Sequence, residues 1–137
     1  MTVVVGGQCR KAGKTLAMCR LIAATREMNW IAVKISPHPH DALPGGDTER
    51  YLAAGAVAAH LLRPGNSLPA AEHLVIESNG VLQCLQPDLL FFVVDPGSQD
   101  WKESARGLAE RANAVVTGGN ITPDHVALIR ATARLRP

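Results

Sequence analysis

The sequence predicts an α/β fold, in which a mainly parallel central sheet is flanked by helices in three layers. Short apolar runs rich in β-branched residues alternate with helical patterns along the chain. The runs are apolar almost throughout, which is typical of parallel strands buried on both faces. A chain of 137 residues that is 47% hydrophobic has the size of one domain, so we predict a single domain spanning residues 1–137.

Five apolar runs are predicted to be strands: Thr2–Gly6, Trp30–Ser36, His73–Ser78, Leu89–Asp95 and Asn113–Gly118. The run Ala56–Leu62 fits a sixth strand, although its alanines suit a helix equally well. Because the strands alternate with helical segments, the chain reads as successive βαβ units. Such units place their strands parallel.

Three segments are predicted to be helices: Thr15–Met28, Asp100–Arg111 and Thr122–Leu135. The first carries apolar residues at helical spacing on one face. The second opens with Asp100 and Glu103, which have the spacing of a capping box. The third opens with Thr122 as a cap and Pro123 at the first helical position.

Composition and charge exclude several function classes. The formal net charge is only +2, and no stripe of lysines and arginines is present, so we expect no nucleic-acid partner. The chain has three cysteines and no C-x-x-C pair, which favours reduced thiols. Its apolar stretches are too short for a bilayer, and no leader pattern is recognised. We therefore predict a cytoplasmic protein with no membrane partner.

The stretch GGQCRKAGKTL, Gly6 to Leu16, ends in Gly-Lys-Thr, the tail of a phosphate-binding loop. Gln8 stands where the pattern G-x-x-x-x-G-K-[ST] has its first glycine, and Gly7 lies one residue too early. The segment follows a predicted buried strand and precedes an amphipathic helix, as the mechanism requires. We predict a loop lengthened by one residue; the alternative is a basic helix start after a glycine turn.

This loop supplies the predicted nucleotide-binding residues: Gly7, Gln8, Cys9, Arg10, Lys11, Ala12, Gly13, Lys14, Thr15 and Leu16. Backbone N–H groups at a helix N-terminus favour phosphate, and Gly13 lets the backbone approach closely. Lys14 is expected to neutralise the β- and γ-phosphates, and the Thr15 hydroxyl to bind Mg²⁺. Arg10 and Lys11 add positive charge.

Magnesium needs oxygen ligands beyond threonine and phosphate. Glu77 ends the run LVIE, and the carboxyl ends of strands in an open α/β sheet face the ligand crevice. Asp47 is the second candidate, although it also suits the N-cap of the following helix. Asp95 ranks third because Pro96 and Gly97 mark an ordinary turn. We assign catalysis to Lys14, Glu77 and Asp47, and metal binding to Thr15, Glu77 and Asp47.

Three further residues in the first third of the chain carry open alternatives. His38 and His40 form an H-x-H pair that suits a metal, but flanking prolines equally indicate an exposed loop. Lys34 ends a predicted strand, where it either approaches a phosphate or lies in water.

Three segments resemble the molybdopterin-guanine dinucleotide biosynthesis protein B family, small P-loop proteins of the SIMIBI class. They are the loop, the stretch Val33–Ala56 and the stretch HLVIESNG, His73 to Gly80. The middle stretch matches the family pattern at Lys34, His38, His40, Pro44, Gly45, Asp47, Thr48 and Ala54-Gly55-Ala56. It departs from it at Ile35, which replaces a histidine, and at Thr48, which replaces a serine.

The resemblance implies GTP binding, weak GTP hydrolysis, a homodimer and assistance to the enzyme that attaches GMP to molybdopterin. Relatives read guanine with Asn-Lys-x-Asp, and the corresponding segment here is TGGN, Thr117 to Asn120. Asn120 offers one acceptor oxygen and one NH₂ donor, so it cannot reproduce the carboxylate's paired acceptors. GTP is therefore favoured by the resemblance alone, and ATP is the alternative.

The sequence thus predicts a nucleotide-binding protein that hydrolyses GTP or ATP slowly with Mg²⁺ and serves molybdenum-cofactor biosynthesis. Slow turnover is expected because no arginine finger is assignable, Arg10 being the nearest candidate. Two rival functions use the same loop. One is a small-molecule kinase, and the other is a non-catalytic, nucleotide-dependent adaptor for a cofactor-maturation enzyme.

Overall fold

The computed structural model describes residues 1–37 and 45–136. In this part of the chain six strands form one sheet: β1 Thr2–Gly7, β2 Ile31–Ile35, β3 Ala58–Leu62, β4 Leu74–Glu77, β5 Leu89–Val94 and β6 Ala114–Thr117. Their order is β3-β2-β4-β1-β5-β6, and every neighbouring pair is parallel. The five predicted strands are confirmed, and the alanine-rich run supplies the sixth.

The helices of the described residues are α1 Lys14–Ala24, α2 Asp47–Ala54, α3 Leu108–Arg111 and α4 Pro123–Arg134. Short 3-10 turns lie at Arg26–Met28, Gly80–Gln83 and Glu103–Ala105. The first helix ends before the predicted Met28. The Thr25 N–H donates to the carbonyls of both Leu21 and Ile22, which tightens the last turn into 3-10 geometry.

Both faces of the sheet are covered, which gives the fold three layers. Along β1, Val3 and Val5 face one core with α1, while Val4 faces a second core with the Gly80–Gln83 turn and α3. Because both faces are buried, the strands are apolar at consecutive positions. The predicted α/β class with a parallel sheet is confirmed.

The predicted start of the last helix is confirmed. The Thr122 hydroxyl accepts from the His125 N–H at 3.3 Å, and His125 Nδ1 accepts from the Thr122 N–H at 3.0 Å. This reciprocal capping box gives His125 a structural role. Ile129 on the same helix is fully buried.

The predicted helix from Asp100 to Arg111 is wrong at its start, although α3 does end at Arg111. Glu103–Ala105 forms a 3-10 turn, and α3 begins only after Gly107, which is left-handed with φ 81°. The Asp100 N–H donates to the Ser98 hydroxyl at 3.1 Å, and the Asp100 carbonyl accepts from the Gln8 side chain at 3.1 Å. The backbone of Asp100 is thus bonded to Ser98 in its own segment and to Gln8 in the loop after β1, and it does not open a helix.

Within residues 1–37 and 45–136, no helix has both the length and the apolar character that a membrane span requires. The three cysteines are all free thiols: Cys9 is buried, Cys19 is half-buried and Cys84 is exposed.

Candidate functional site

A cleft of about 1150 Å³ opens at the carboxyl ends of the central strands. Lys34 at the end of β2 and Glu77 at the end of β4 are partners in the parallel register, and Val5 of β1 is the partner of Glu77 on its other side. The other walls are formed by the β1–α1 loop, the start of α2 and the segments that follow β3, β4 and β5. This is the edge at which open α/β sheets bind ligands.

The β1–α1 loop brings the N-terminus of α1 to the cleft. The N-cap is Gly13, which is left-handed with φ 104°. A Cβ on this residue would lie 2.8 Å from the backbone carbon of Gly118, so only glycine fits. Gly13 has no side chain with which to cap the first-turn N–H groups. The helix therefore presents uncapped donors and the positive end of its dipole.

The Lys14 side chain lies across Gly7. A Cβ on Gly7 would come within 2.5 Å of Lys14 Cδ, so a glycine at this position makes room for the lysine. Burial, followed by the nearby ammonium of Lys102, lowers the pKa of Lys14, while the Glu77 carboxylate acts in the opposite sense. A partly desolvated cation with a second cation beside it is a favourable contact for an anion.

Glu77 is the buried acid of the site, with 5% of its surface exposed. The Thr15 hydroxyl donates to Glu77 Oε1 at 2.9 Å, and the Tyr51 hydroxyl donates to the same oxygen. Burial and the Glu77 carboxylate raise the pKa of Tyr51 far above its usual value, which keeps this donor protonated. The structure thus brings together the predicted Thr15 and Glu77.

Asp47 also lies in the cleft, where its carboxylate pairs with Lys34. Lys34 Nζ lies 3.7 Å from Glu77 Oε2, and Arg50 lies 3.6 Å from Asp47 Oδ1. The expected N-cap role of Asp47 is wrong, since Gly46 is the N-cap of α2 and Asp47 is the first helical residue. Lys34 is a cleft residue between two carboxylates rather than a lysine in open water.

Positive charge is concentrated in this cleft. Its described lining residues include six basic side chains and two carboxylates, although the whole chain carries a net charge of only +2. All four lysines of the chain lie here: Lys11, Lys14, Lys34 and Lys102. A cleft lined mainly by one sign of charge raises the local concentration of oppositely charged ligands. The electrostatics therefore favour an anion.

The remaining loop residues divide into two groups. Arg10, Lys11 and Leu16 line the cleft, whereas Cys9 and Ala12 are buried in the core beneath α1. Gln8 is also buried, and its side chain is turned away from the cleft towards the segment after β5.

Two other predicted residues lie outside the described cleft lining. Asn120 is exposed, and its N–H donates to the Thr117 carbonyl at 3.1 Å in a turn. The adjacent Gly118 and Gly119 do contact the start of α1, so this turn lies beside the loop. Asp95 accepts from the Gly97 N–H at 3.0 Å, the ordinary turn that Pro96-Gly97 indicates. His38 and His40 lie outside the described residues.

Among the site residues that sequence reasoning missed are Arg50, Tyr51, Asn79, Lys102 and Ser104. Asn79 holds the loop through Gly7, since its Oδ1 accepts from the Gly7 N–H at 2.8 Å and its Nδ2 donates to the Gly7 carbonyl at 2.9 Å. A polar residue just after a strand end is a signal that could have found Asn79. Lys102 has no such signal, because it depends on a long-range contact with Gln8.

Thr15, Glu77 and Asp47 bring oxygen atoms to the strand ends, and oxygen is the ligand atom that Mg²⁺ prefers. Among the described residues, no group of three or more histidines, cysteines and acids could hold a metal ion. Magnesium is usually bound through one or two carboxylates together with substrate phosphates. The Thr15 hydroxyl gives its proton to Glu77, so its oxygen still has a lone pair for a cation.

Comparison of the chain with protein-family models, with curated proteins and with solved structures finds no significant match to any of the three.

Proposed function

We propose that this cleft binds the polyphosphate of a nucleoside triphosphate together with Mg²⁺, and that the fold is of the P-loop NTPase type. The observation that carries the proposal is the placement of Lys14 and Thr15. They open α1 directly beside the acid at the end of β4, with Thr15 Oγ1 only 2.9 Å from Glu77 Oε1. Gly-Lys-Thr at this point of a βα unit is the arrangement that phosphate-binding loops use.

Different groups of the chain would bind the phosphates and the magnesium ion. The first-turn N–H groups of α1 would donate to phosphate oxygens, and the Lys14 ammonium would neutralise their charge. Thr15 and Glu77, with Asp47 nearby, would hold Mg²⁺, which when bound supplies further charge neutralisation on the phosphates. Catalysis in such a site comes from positioning and electrostatic stabilisation.

Hydrolysis is slow in this proposal because the described cleft offers no free carboxylate to position water. Glu77 accepts from Thr15 and Tyr51, and Asp47 is paired with Lys34 and Arg50. The lone pairs that these acids keep open are the ones proposed to bind Mg²⁺, so neither acid is left to act as a general base.

Calorimetric titration with GTP and with ATP, each with Mg²⁺ and with a chelator, tests the proposal. We expect binding by the wild type, about 100-fold weaker binding by Lys14→Ala, and unchanged binding by Arg111→Ala. Arg111 is an exposed cation outside the cleft lining and so controls for loss of charge. Binding that is equally strong in both variants would remove the proposed site.

The pathway part of the proposal, assistance to molybdenum-cofactor biosynthesis with GTP as the nucleotide, depends on the sequence resemblance. Its support is the loop, the Val33–Ala56 stretch and the strand ending in Glu77. We expect a molybdopterin-type ligand, or the enzyme that attaches GMP to it, to accelerate phosphate release. Tight binding without turnover in the presence of that enzyme would favour the adaptor function instead.

The extent of the cleft favours one second candidate, a small-molecule kinase. At about 1150 Å³ the cleft exceeds the usual range of small-molecule sites, and it extends from the loop to Asn66 and Gln83. An acceptor could therefore lie beside the phosphates. Labelled γ-phosphate recovered on an added small molecule would support the kinase, whereas release only as inorganic phosphate supports the hydrolase.

A further inference from the structure

Gln8, the residue that breaks the usual spacing of the loop, uses all of its polar groups. Its backbone N–H donates to the Val93 carbonyl at 2.9 Å. Its side-chain amide donates to the carbonyls of Ser98 and Asp100 at 3.0 and 3.1 Å, while its Oε1 accepts from the Asp95 N–H at 3.0 Å. Only 2% of its surface is exposed, so Gln8 is a buried residue whose hydrogen bonds join the β1–α1 loop to the segment after β5. A glycine at this position would make none of the side-chain bonds.

The backbone of Gln8 also holds Lys102. The Gln8 carbonyl accepts from the Lys102 N–H at 2.9 Å, so the backbone of Lys102 is joined directly to the phosphate-loop candidate. The Lys102 side chain lines the cleft together with Lys14 and Lys11. A lysine far along the chain is thereby added to the cations of the loop.

Lys102 is anchored on both sides along the chain. The preceding Trp101 stacks on Phe92, with ring centroids 5.8 Å apart and planes 14° apart. The following turn buries Ala105 completely. Phe92 and Ala105 belong to the core on the sheet face away from α1, so Lys102 approaches the cleft from a different layer than Lys14. Anchored backbone lowers the entropy cost of presenting the cation.

The two lysines are close enough to repel. Lys102 is the strongest of the neighbouring charges acting on Lys14, and it disfavours the charged form of that residue. Holding two cations together is unfavourable in the free protein and becomes favourable when a polyanion lies between them. The proximity therefore fits a ligand with several negative charges.

We propose that Lys102 is a second phosphate-binding lysine, and that Gln8 is the positioning residue that holds it at the cleft. This inference depends on the proposed function and specifies the phosphate chain of the nucleotide as the group that Lys102 contacts. It also explains the departure at Gln8, because the extra loop residue joins the loop to the segment that carries the additional cation.

Calorimetry on Lys102→Met tests the first half, with the matched control Arg106→Met. Arg106 is four residues away, carries the same charge and lies outside the cleft lining. We expect about 10-fold weaker binding of Mg-free tripolyphosphate and of nucleoside triphosphate for Lys102→Met, and less than about twofold for the control.

The outcomes separate the two proposals. If Lys14→Ala abolishes binding while Lys102→Met behaves like its control, the inference fails and the proposed function stands. If the wild type binds neither tripolyphosphate nor nucleotide, both fail. Lys102→Met changes no buried side chain, so this test does not depend on how well a Gln8 variant folds.

A variant of Gln8 tests the positioning role. Trp101 is 44% exposed and Trp30 is fully buried, so acrylamide quenching reports mainly on Trp101. Gln8→Ala should increase this quenching by loosening the stack of Trp101 on Phe92. Gln99→Ala, an exposed amide in the same segment, is the control. We expect Gln8→Ala to weaken triphosphate binding about as much as Lys102→Met, and the double variant to lose no more than either. Additive losses, or unchanged quenching of Trp101, would overturn the positioning role.

Discussion

Replacement of Tyr51 by phenylalanine isolates one hydrogen bond of the site. The side chain of Tyr51 is completely buried in the core under α1 and α2, and its hydroxyl donates to Glu77 Oε1. The substitution keeps the ring and removes a single oxygen, so no cavity term arises. Its effect on stability is therefore the loss of one donor to a buried carboxylate.

The structure sets the size of this loss. A hydrogen bond to a charged group contributes about 1.5–3 kcal/mol. Glu77 Oε1 keeps the Thr15 hydroxyl at 2.9 Å, and Lys34 stays 3.7 Å from Oε2, so the carboxylate is not left without partners. We expect the lower end, about 1.5–2 kcal/mol of the free energy of unfolding, which corresponds to a drop of about 1 M in the urea midpoint.

Urea unfolding followed by tryptophan fluorescence measures this value, since Trp30 is fully buried and becomes exposed on unfolding. Thr48→Val is the matched control, because it removes a hydroxyl of α2 that makes no hydrogen bond within the described residues. We expect the control to stay within about 0.5 kcal/mol of the wild type. A loss for Tyr51→Phe no larger than that of Thr48→Val would refute the proposed bond to Glu77.

Three further predictions concern the loop and its acid. Lys14→Met should raise the free energy of unfolding at pH 7, because burial and Lys102 lower the pKa of Lys14 in the folded state. This gain should shrink when urea unfolding is repeated at alkaline pH. The wild type becomes more stable as pH rises from the lowered folded pKa towards 10.5. Gly13→Ala should lower the free energy of unfolding in urea by about 2–5 kcal/mol, because it combines a left-handed backbone with overpacking. Gly80→Ala is the control and should lower it little, because the space around Gly80 is open. Equal losses in the two variants would contradict the tight packing at Gly13. Glu77→Gln should remove most of the Mg²⁺-dependent part of triphosphate affinity, about tenfold by calorimetry, and an unchanged difference between titrations with and without Mg²⁺ would argue against its role as a metal ligand.

Local patterns predicted the parts of the site that local rules govern. Gly13, Lys14 and Thr15 are adjacent in sequence, and the turn into a helix fixes their relative placement. Glu77 could be placed because the carboxyl ends of parallel strands share one edge of the sheet. Tyr51 could not, since helical spacing marks it only as a buried residue and says nothing about which carboxylate its hydroxyl meets.

The wrong start predicted for the helix from Asp100 to Arg111 also results from a contact that is distant in sequence. The capping pattern at Asp100 and Glu103 is a local preference of modest free energy. Gln8, more than ninety positions earlier in the sequence, offers the backbone of this segment several hydrogen bonds at once. A tertiary contact of this kind outweighs a capping preference, and a pattern read along the chain does not contain it.

The sequence by itself determined the α/β class, the parallel strands and the loop with its lysine, because apolar runs and glycine turns act over a few neighbouring residues. Only the tertiary structure decided that Lys34 and Lys102 join the two lysines of the loop in one cleft, that Tyr51 and Thr15 meet on Glu77, and that Gln8 anchors Lys102. These contacts form between different helices, strands and loops through burial and hydrogen bonding. Which residues meet depends on the order of the strands in the sheet and not on the spacing of the residues along the chain.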